Sequence, residues 1–260
     1  MRLQLDRGGR VETFGDGALL TETDVQRAPD LTIGSSVVRL EGLRYHLHVD
    51  LGGSTGRRAR GDLTIEASAG RLVPPLEITG AQGWRSGYVV PVMSGTLGGA
   101  IDVGGERVVL DGGTGYHDHN WGFWRGVSWQ WGQAQQGELS VLYGRVFPPA
   151  EAADAARVPG LVGVLGRDGP LGFATDVTIA ETDDERGEPR TITVQARSAA
   201  LEVQLRFEAA SAVTTSMAQG PLASRLDFLQ LRGEYTVSGR AGDQPLNFTA
   251  PGSAETFRGR

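Results

Sequence analysis

Apolar and polar residues alternate strictly in several segments of this chain. In residues 201–209, LEVQLRFEA, every second side chain from Leu201 to Phe207 is apolar and the intervening ones are polar or charged. Residues 43–51, LRYHLHVDL, repeat the pattern from Leu43 to Leu51. A period of two is typical of a β-strand that buries one face, so these segments predict half-buried strands.

Turn residues separate most of the strand-like segments. Gly104–Gly105 and Asp168–Gly169 have the chemistry of tight hairpins, and the 260 residues include 39 Gly and 12 Pro. Residues 150–157, AEAADAAR, follow Pro148–Pro149 and alone read as a short connecting helix. The absence of strand–helix alternation argues against a doubly wound nucleotide-binding fold. The sequence therefore predicts an all-β protein built as an antiparallel meander or barrel.

The strand pattern restarts after the turn-forming residues DGGTG, at 111–115. Because a chain of this length exceeds the usual size of one domain, we place a boundary there. The prediction is an N-terminal β domain over residues 1–114 and a C-terminal β-barrel domain over residues 115–260.

Charge and composition exclude several kinds of function. The 25 basic and 31 acidic residues give a net charge of −6, and no predicted strand carries a basic cluster, so nucleic acid is not an expected partner. The chain has neither Lys nor Cys, which excludes Schiff-base chemistry on a lysine, disulfides and thiolate nucleophiles. Because residues 1–17 lack an apolar signal-peptide core and no apolar run approaches about 18 residues, we expect a cytoplasmic protein.

Residues 113–135, GTGYHDHNWGFWRGVSWQWGQAQ, contain four of the five tryptophans. If GYHDHNWG is extended, Tyr116, Asp118 and Asn120 share one face. In an aromatic pocket Asp118 suits a general acid, while the phenol and the amide fix geometry or stabilise an oxyanion. The alternative is that Asp118 and Asn120 hold a turn through hydrogen bonds to their own backbone.

The strand-like run WQWGQAQ places Trp129, Trp131, Gln133 and Gln135 on a shared face. Indoles beside amides are typical of a site for a large, mostly apolar ligand with a few polar anchors. The alternative is that these tryptophans fill the core of a barrel.

The four histidines of the chain are candidate ligands for a metal ion. His117 and His119 share the other face of GYHDHNWG with Trp121, and together with His46 and His48 they could supply four ligands to zinc. A solvated strand face accounts for His46 and His48 more simply, and histidines such as His117 and His119 more often orient their neighbours. The prediction is therefore no metal site.

The same stretch resembles a known family. The pattern G-x-G-Y-x-D-x-N-x-G at 113–122, preceded by YVVPVMSGTL at 88–97 and followed by APGSAETFR at 250–258, is similar to the lipocalin-like carotenoid 1,2-hydratases (hydroxyneurosporene synthases). Tocopherol cyclases and the fungal lipocalin-like Diels-Alderases are related to that group. The resemblance implies two lipocalin-like β domains packed together. It also implies a hydrophobic substrate bound near their junction without a cofactor.

In the hydratases the Tyr and Asp of the motif are functional, and the Asp is the proton donor to an isolated double bond; these positions are Tyr116 and Asp118. The hydratases also use a His and a Trp upstream of the motif. The corresponding stretch of this chain, GYVVPVMSG at 87–95, has neither residue, and Tyr88 is the expected substitute. With Asn120 as a third catalytic residue, the predicted substrate-binding residues are Tyr88, His117, His119, Trp121, Trp124, Trp129, Trp131 and Gln133.

These observations predict a cofactor-free enzyme acting on a polyene, isoprenoid or polyketide. The missing upstream His and Trp favour cyclisation or isomerisation, Diels-Alderase-like or cation-driven, over double-bond hydration. An apolar substrate also predicts transient contact with membrane or lipid. The alternative is a non-catalytic carrier of lipids, pigments or polyketides, because barrels of this kind often only bind.

Overall fold

A computed structural model describes residues 1–7, 10–19, 21–123, 125–218 and 225–259. The prediction of an all-β, lipocalin-like fold is confirmed: strands dominate, and they form two sheets, a half-barrel and a nearly closed barrel. The strands of the described residues are, in chain order, β1 (Arg2–Arg7), β2 (Arg10–Gly15), β3 (Leu31–Ile33), β4 (Ser36–Glu41), β5 (Arg44–Gly53), β6 (Arg58–Ala67), β7 (Val73–Thr79), β8 (Arg85–Val103), β9 (Glu106–Val109), β10 (Thr114–Gly122), β11 (Ser128–Gln136), β12 (Leu139–Phe147), β13 (Leu161–Gly166), β14 (Gly169–Ala174), β15 (Asp176–Asp183), β16 (Pro189–Arg197), β17 (Leu201–Ala218), β18 (Arg225–Ala241) and β19 (Gln244–Gly259).

Helical structure is confined to short pieces. Among the residues that the structure describes, one α-helix, α1, spans Glu22–Gln26, and two 3₁₀ turns span Ala81–Gly83 and Ala155–Arg157. Within the described part of the chain, no helix has the length and apolar character needed to cross a membrane.

The chain forms two compact units that interleave along the sequence. Unit 1 comprises Met1–Val73 and Val90–Asp118, and unit 2 comprises Pro74–Val89 and His119–Arg260. A unit boundary therefore falls inside β8 and another inside β10. Neither the turn residues nor the strand pattern of the sequence signals that residues 74–89 belong with unit 2.

Unit 1 is built on strand pairing along the path β1-β2-β5-β6-β8-β10, antiparallel from β1 to β8, with β4 pairing β3 and β5. Its core includes Phe14, Val49 and Leu51, each exposing 4% or less of its surface. The alternation predicted for residues 43–51 is largely confirmed. Leu43 is the exception, since it lies in the turn before β5 and is 51% exposed.

Unit 2 contains a nine-stranded antiparallel sheet in the order β14-β13-β12-β11-β19-β18-β17-β16-β15. The alternation predicted for residues 201–209 is confirmed on β17, since Leu201, Val203, Leu205 and Phe207 are all buried at 3% exposure or less. Their side chains join one continuous barrel core with residues of the other strands. Hydrophobic burial of this kind is the main stabilising contribution to such a barrel.

Strand β11 turns its small residues toward that core. Ala134 belongs to the core, and a Cβ on Gly132 would lie 2.2 Å from the Tyr235 hydroxyl oxygen and 2.5 Å from Cε1 of Tyr143. Because alternate residues of a strand point to opposite faces, Trp129 and Trp131 lie on the other face of β11. Tyrosines from β12 and β18, rather than these two tryptophans, therefore fill the barrel beside β11.

The connecting helix predicted over residues 150–157 is shorter than expected. Only Ala155–Arg157 is helical, as a 3₁₀ turn. Asp154 precedes it in an extended conformation (φ −72°, ψ 109°), and its side chain accepts a hydrogen bond from the Ala156 N–H. Ala152 is buried beside Trp84 and Val127. A capping aspartate and this tertiary contact outweigh the helix propensity of the alanines.

Candidate functional site

Strand β10 brings Tyr116 and Asp118 together in unit 1. Both side chains are half-buried, and the Tyr116 hydroxyl donates a hydrogen bond to Asp118 Oδ2 at 3.2 Å. The contact follows from local geometry, because residues two apart on a strand share a face. A carboxylate that accepts from a phenol is held in one orientation. It can take up a proton or stabilise a positive charge.

The two motif residues lie in a strand and not in a turn. β10 runs unbroken from Thr114 to Gly122, so the alternative in which Asp118 and Asn120 hold a turn is wrong. Alternation places Asn120 on the same side of the strand as Asp118, but Asn120 is exposed.

The histidines of the motif contact aromatic rings. In unit 1, His117 packs edge-on against Tyr45, with ring centroids 4.9 Å apart and an interplanar angle of 74°. In unit 2, His119 is exposed and stacks on Trp121 at 6.0 Å. These contacts agree with a role in orienting neighbours.

Trp121 is held by two residues that the sequence did not identify. Its indole Nε1 donates to Glu77 Oε2 at 3.2 Å. Its ring lies so close to Gly87 that a Cβ there would be 2.0 Å from Cε2 of the indole. Only glycine leaves room for the indole at this position. Both residues belong to the segment 74–89, whose membership of unit 2 has no local sequence signal.

The outward face of β11 carries an aromatic wall formed by Trp129, Phe228 and Phe257. Trp129 stacks on Phe257 with centroids 4.1 Å apart and planes 18° apart, and Phe228 lies 5.8 Å from Trp129 and 6.2 Å from Phe257. The register of β11 with β19 places Trp129 directly opposite Phe257. Such cross-strand aromatic pairs stabilise a sheet; Phe257 exposes only 2% of its surface, and Trp129 and Phe228 are half-buried.

Polar anchors continue along the same face of β11. Trp131 is 8% exposed, and its Nε1 donates to the Tyr88 hydroxyl oxygen at 2.7 Å. Gln133 Nε2 donates to Ser253 Oγ at 3.2 Å. Within unit 2 the structure thus brings Tyr88 to Trp131, and Gln133 lies two residues further along the same face of β11. Trp124, which was predicted to bind substrate, lies outside the described residues.

The remaining histidines pair with carboxylates. His48 Nδ1 lies 2.7 Å from Asp62 Oδ1, and His46 Nε2 lies 3.8 Å from Glu41 Oε2. Across the described ranges, no group of three or more His, Cys, Asp or Glu side chains is arranged to hold a metal ion.

The geometry defines a class of protein, the two-sheet lipocalin-like β fold, and solved structures share it. CghA aligns with a TM-score of 0.55 at 13% identity, covering 95% of this chain and 73% of that chain. CghA with Sch210972 aligns with a TM-score of 0.52 at the same identity and coverage. At this identity the likeness shows the fold alone. No protein-family model and no curated protein sequence matches the chain.

Proposed function

We propose that this protein is a cofactor-independent enzyme that holds a hydrophobic, unsaturated small molecule in a reactive shape and closes a ring in it. The observation that carries the proposal is the hydrogen bond from Tyr116 to Asp118 on a half-buried strand. The fold adds support, because CghA is a lipocalin-like Diels-Alderase.

The Tyr116–Asp118 pair suits ring closure better than hydration. Hydration of an isolated double bond requires Asp118 to give up a proton, whereas here Asp118 Oδ2 accepts a hydrogen bond from the Tyr116 hydroxyl. An oriented carboxylate stabilises a cation that develops on the substrate or removes a proton from it. The Tyr116 hydroxyl has one proton, which it donates to Asp118 Oδ2, so its part is to fix the orientation of the carboxylate.

Ring closure also needs a surface that fixes the shape of a flexible chain. Holding reacting atoms in a near-attack geometry removes much of the entropic barrier. Trp129 and Phe228, the half-buried members of the aromatic wall, supply apolar contacts of the kind that a polyene, isoprenoid or polyketide requires. Indole faces stabilise cationic intermediates by about 0.5 to 2 kcal/mol per contact. We assign substrate binding to Trp129, Trp131, Gln133 and Tyr88.

The test is incubation of the protein with linear polyenes that carry a conjugated diene and an activated alkene, followed by mass spectrometry. Ring closure gives a product of unchanged mass with a new retention time, whereas hydration adds the mass of one water. Recovery of unchanged polyene in a stoichiometric complex would instead identify a carrier and overturn the proposal.

Two substitutions locate the chemistry. We expect Asp118→Asn to lower the rate of ring closure by about 100-fold, the usual scale for loss of one acid–base group, and Tyr116→Phe to lower it less, because the phenol acts by orienting the carboxylate. Asp176→Asn is the matched control, because Asp176 is an exposed carboxylate on β15. If the Asp118→Asn variant closes the ring as fast as the control variant, Asp118 has no part in the mechanism.

A further inference from the structure

The indole of Trp121 lies flat across strand β8 in unit 2. A Cβ on Gly87 would be 2.0 Å from Cε2 of the indole, 2.2 Å from Cζ2 and 2.4 Å from Nε1. Cε2 is the nearest atom and its two bonded neighbours are further away, so the Cβ position stands above the face of the ring; beyond the ring edge these neighbours would be the nearer atoms. Because a Cβ projects out of the plane of a sheet, the indole covers the backbone of Gly87 with one face.

The other face of the indole points away from the sheet. Trp121 is half-buried, as a ring with one covered face should be, and its neighbours His119 and Glu77 are exposed. The His119 ring lies within 19° of the indole plane with the centroids 6.0 Å apart, so it continues the flat surface along β10. Glu77 Oε2 accepts a hydrogen bond from Nε1 at 3.2 Å and holds the indole in this orientation. We call Trp121 and His119 the aromatic platform.

Two side chains of opposite charge flank the aromatic platform. Glu77 lies at the Nε1 edge of the indole. Arg85 is exposed and precedes Gly87 by two residues on β8, so its side chain is on the face of the sheet that the indole covers. A cationic ligand would be repelled by Arg85 and an anionic ligand by Glu77. A wholly apolar ligand would remove water from both charges without replacing its hydrogen bonds. The ligand class that suits all three features is therefore neutral, with an apolar face and hydroxyl groups around it.

We propose that the aromatic platform binds the pyranose ring of a neutral saccharide or glycoside. A pyranose ring with equatorial hydroxyls carries only C–H groups on its faces, and these pack against the indole through many small dispersion contacts. Its hydroxyls donate to Glu77 and accept from Arg85, and such charge-assisted hydrogen bonds are stronger than neutral ones. The inference is independent of the proposed ring closure, because Trp121 lies on the opposite face of β10 from Asp118.

The experiment is a titration of ¹⁵N-tryptophan-labelled protein with methyl β-D-glucopyranoside, followed by NMR of the five indole N–H signals. The Trp121→Phe variant assigns the Trp121 signal by its disappearance. We expect this signal to shift in a saturable way while the other four stay unchanged. Tetramethylammonium chloride, a cation, and cyclohexanol, an apolar ring with one hydroxyl, should each bind about tenfold more weakly than the glucoside.

Variants of exposed charges keep the test independent of folding. Glu77→Gln and Arg85→Met should each raise the Kd for the glucoside about tenfold, because each removes one charge-assisted hydrogen bond. Glu234→Gln on β18 and Arg107→Met on β9 are the matched controls, since both residues are exposed on strands, and they should leave the Kd unchanged. Absence of a saturable shift at Trp121, or equal Kd values for the Glu77→Gln and Glu234→Gln variants, would overturn the proposal. Tighter binding of tetramethylammonium than of the glucoside would identify a cation site and overturn it as well.

Discussion

Replacing Gly132 by alanine adds one methyl group to the barrel face of β11. The new Cβ would lie 2.2 Å from the Tyr235 hydroxyl oxygen and 2.5 and 2.8 Å from Cε1 and Cζ of Tyr143. Both rings are 1% exposed, so neither can swing into solvent. Ordinary contact begins at 3.4 Å, and 3.4 − 2.2 = 1.2 Å is therefore the shift that the Tyr235 hydroxyl must make.

The energetic cost has two main parts. Overpacking a close-packed core costs about 1 to 3 kcal/mol. The Tyr235 hydroxyl donates to the Ser253 carbonyl oxygen at 3.0 Å, and displacement leaves a buried donor without this acceptor at a cost of about 1 to 3 kcal/mol. Alanine also restricts the conformations of the unfolded chain more than glycine does, which offsets about 0.4 to 1 kcal/mol of this cost. We expect Gly132→Ala to lower the free energy of unfolding by about 3 kcal/mol.

Urea unfolding followed by tryptophan fluorescence measures this change in unit 2 alone, because all five tryptophans fall in residues 74–89 and 119–260. Gly144→Ala is the matched control: Gly144 lies on β12 opposite Trp131, and its nearest neighbour, Trp131 Cδ1, is 3.8 Å from the new Cβ. We expect the control to change stability by less than about 1 kcal/mol. Equal losses for the two variants would refute the assignment of Gly132 to the barrel interior.

Two further predictions concern pH. Hydrogen bonds from Arg60 and Arg58 hold the pKa of Asp50 below its usual value of 3.8. The ionised Asp50 carboxylate therefore stabilises the folded state above pH 3.8, and this contribution is lost as pH falls below that value. In acid unfolding followed by circular dichroism, Asp50→Asn should therefore show a shallower loss of stability below about pH 4. Burial raises the pKa of Tyr143 and of Tyr235 above the usual value of 10. Above pH 10 these phenols ionise more readily in the unfolded chain than in the folded protein, so the free energy of unfolding falls as pH rises beyond 10. Absorbance at 295 nm should show these two phenols ionising only as the protein unfolds, and their titration at pH 10 in folded protein would contradict their burial.

Local pattern determined much of this protein. The alternation from Leu201 to Phe207 predicted both a strand and its buried face, because the period of two is a property of the strand itself. The same rule placed Tyr116 and Asp118 on one face, where the structure shows them hydrogen-bonded. Glycine and proline content then favoured an all-β fold over helical alternatives.

Only the tertiary structure decided which face of β11 is inside. Alternation separates Gly132 and Ala134 from Trp129 and Trp131, but it does not say which set faces the barrel. Neighbouring strands settle the choice, because Tyr235 occupies the volume beside Gly132. The contact of Trp121 with Glu77 likewise joins residues 44 positions apart. Strand pairing of this kind is non-local, so the chain encodes it in packing complementarity between distant segments and not in any local period.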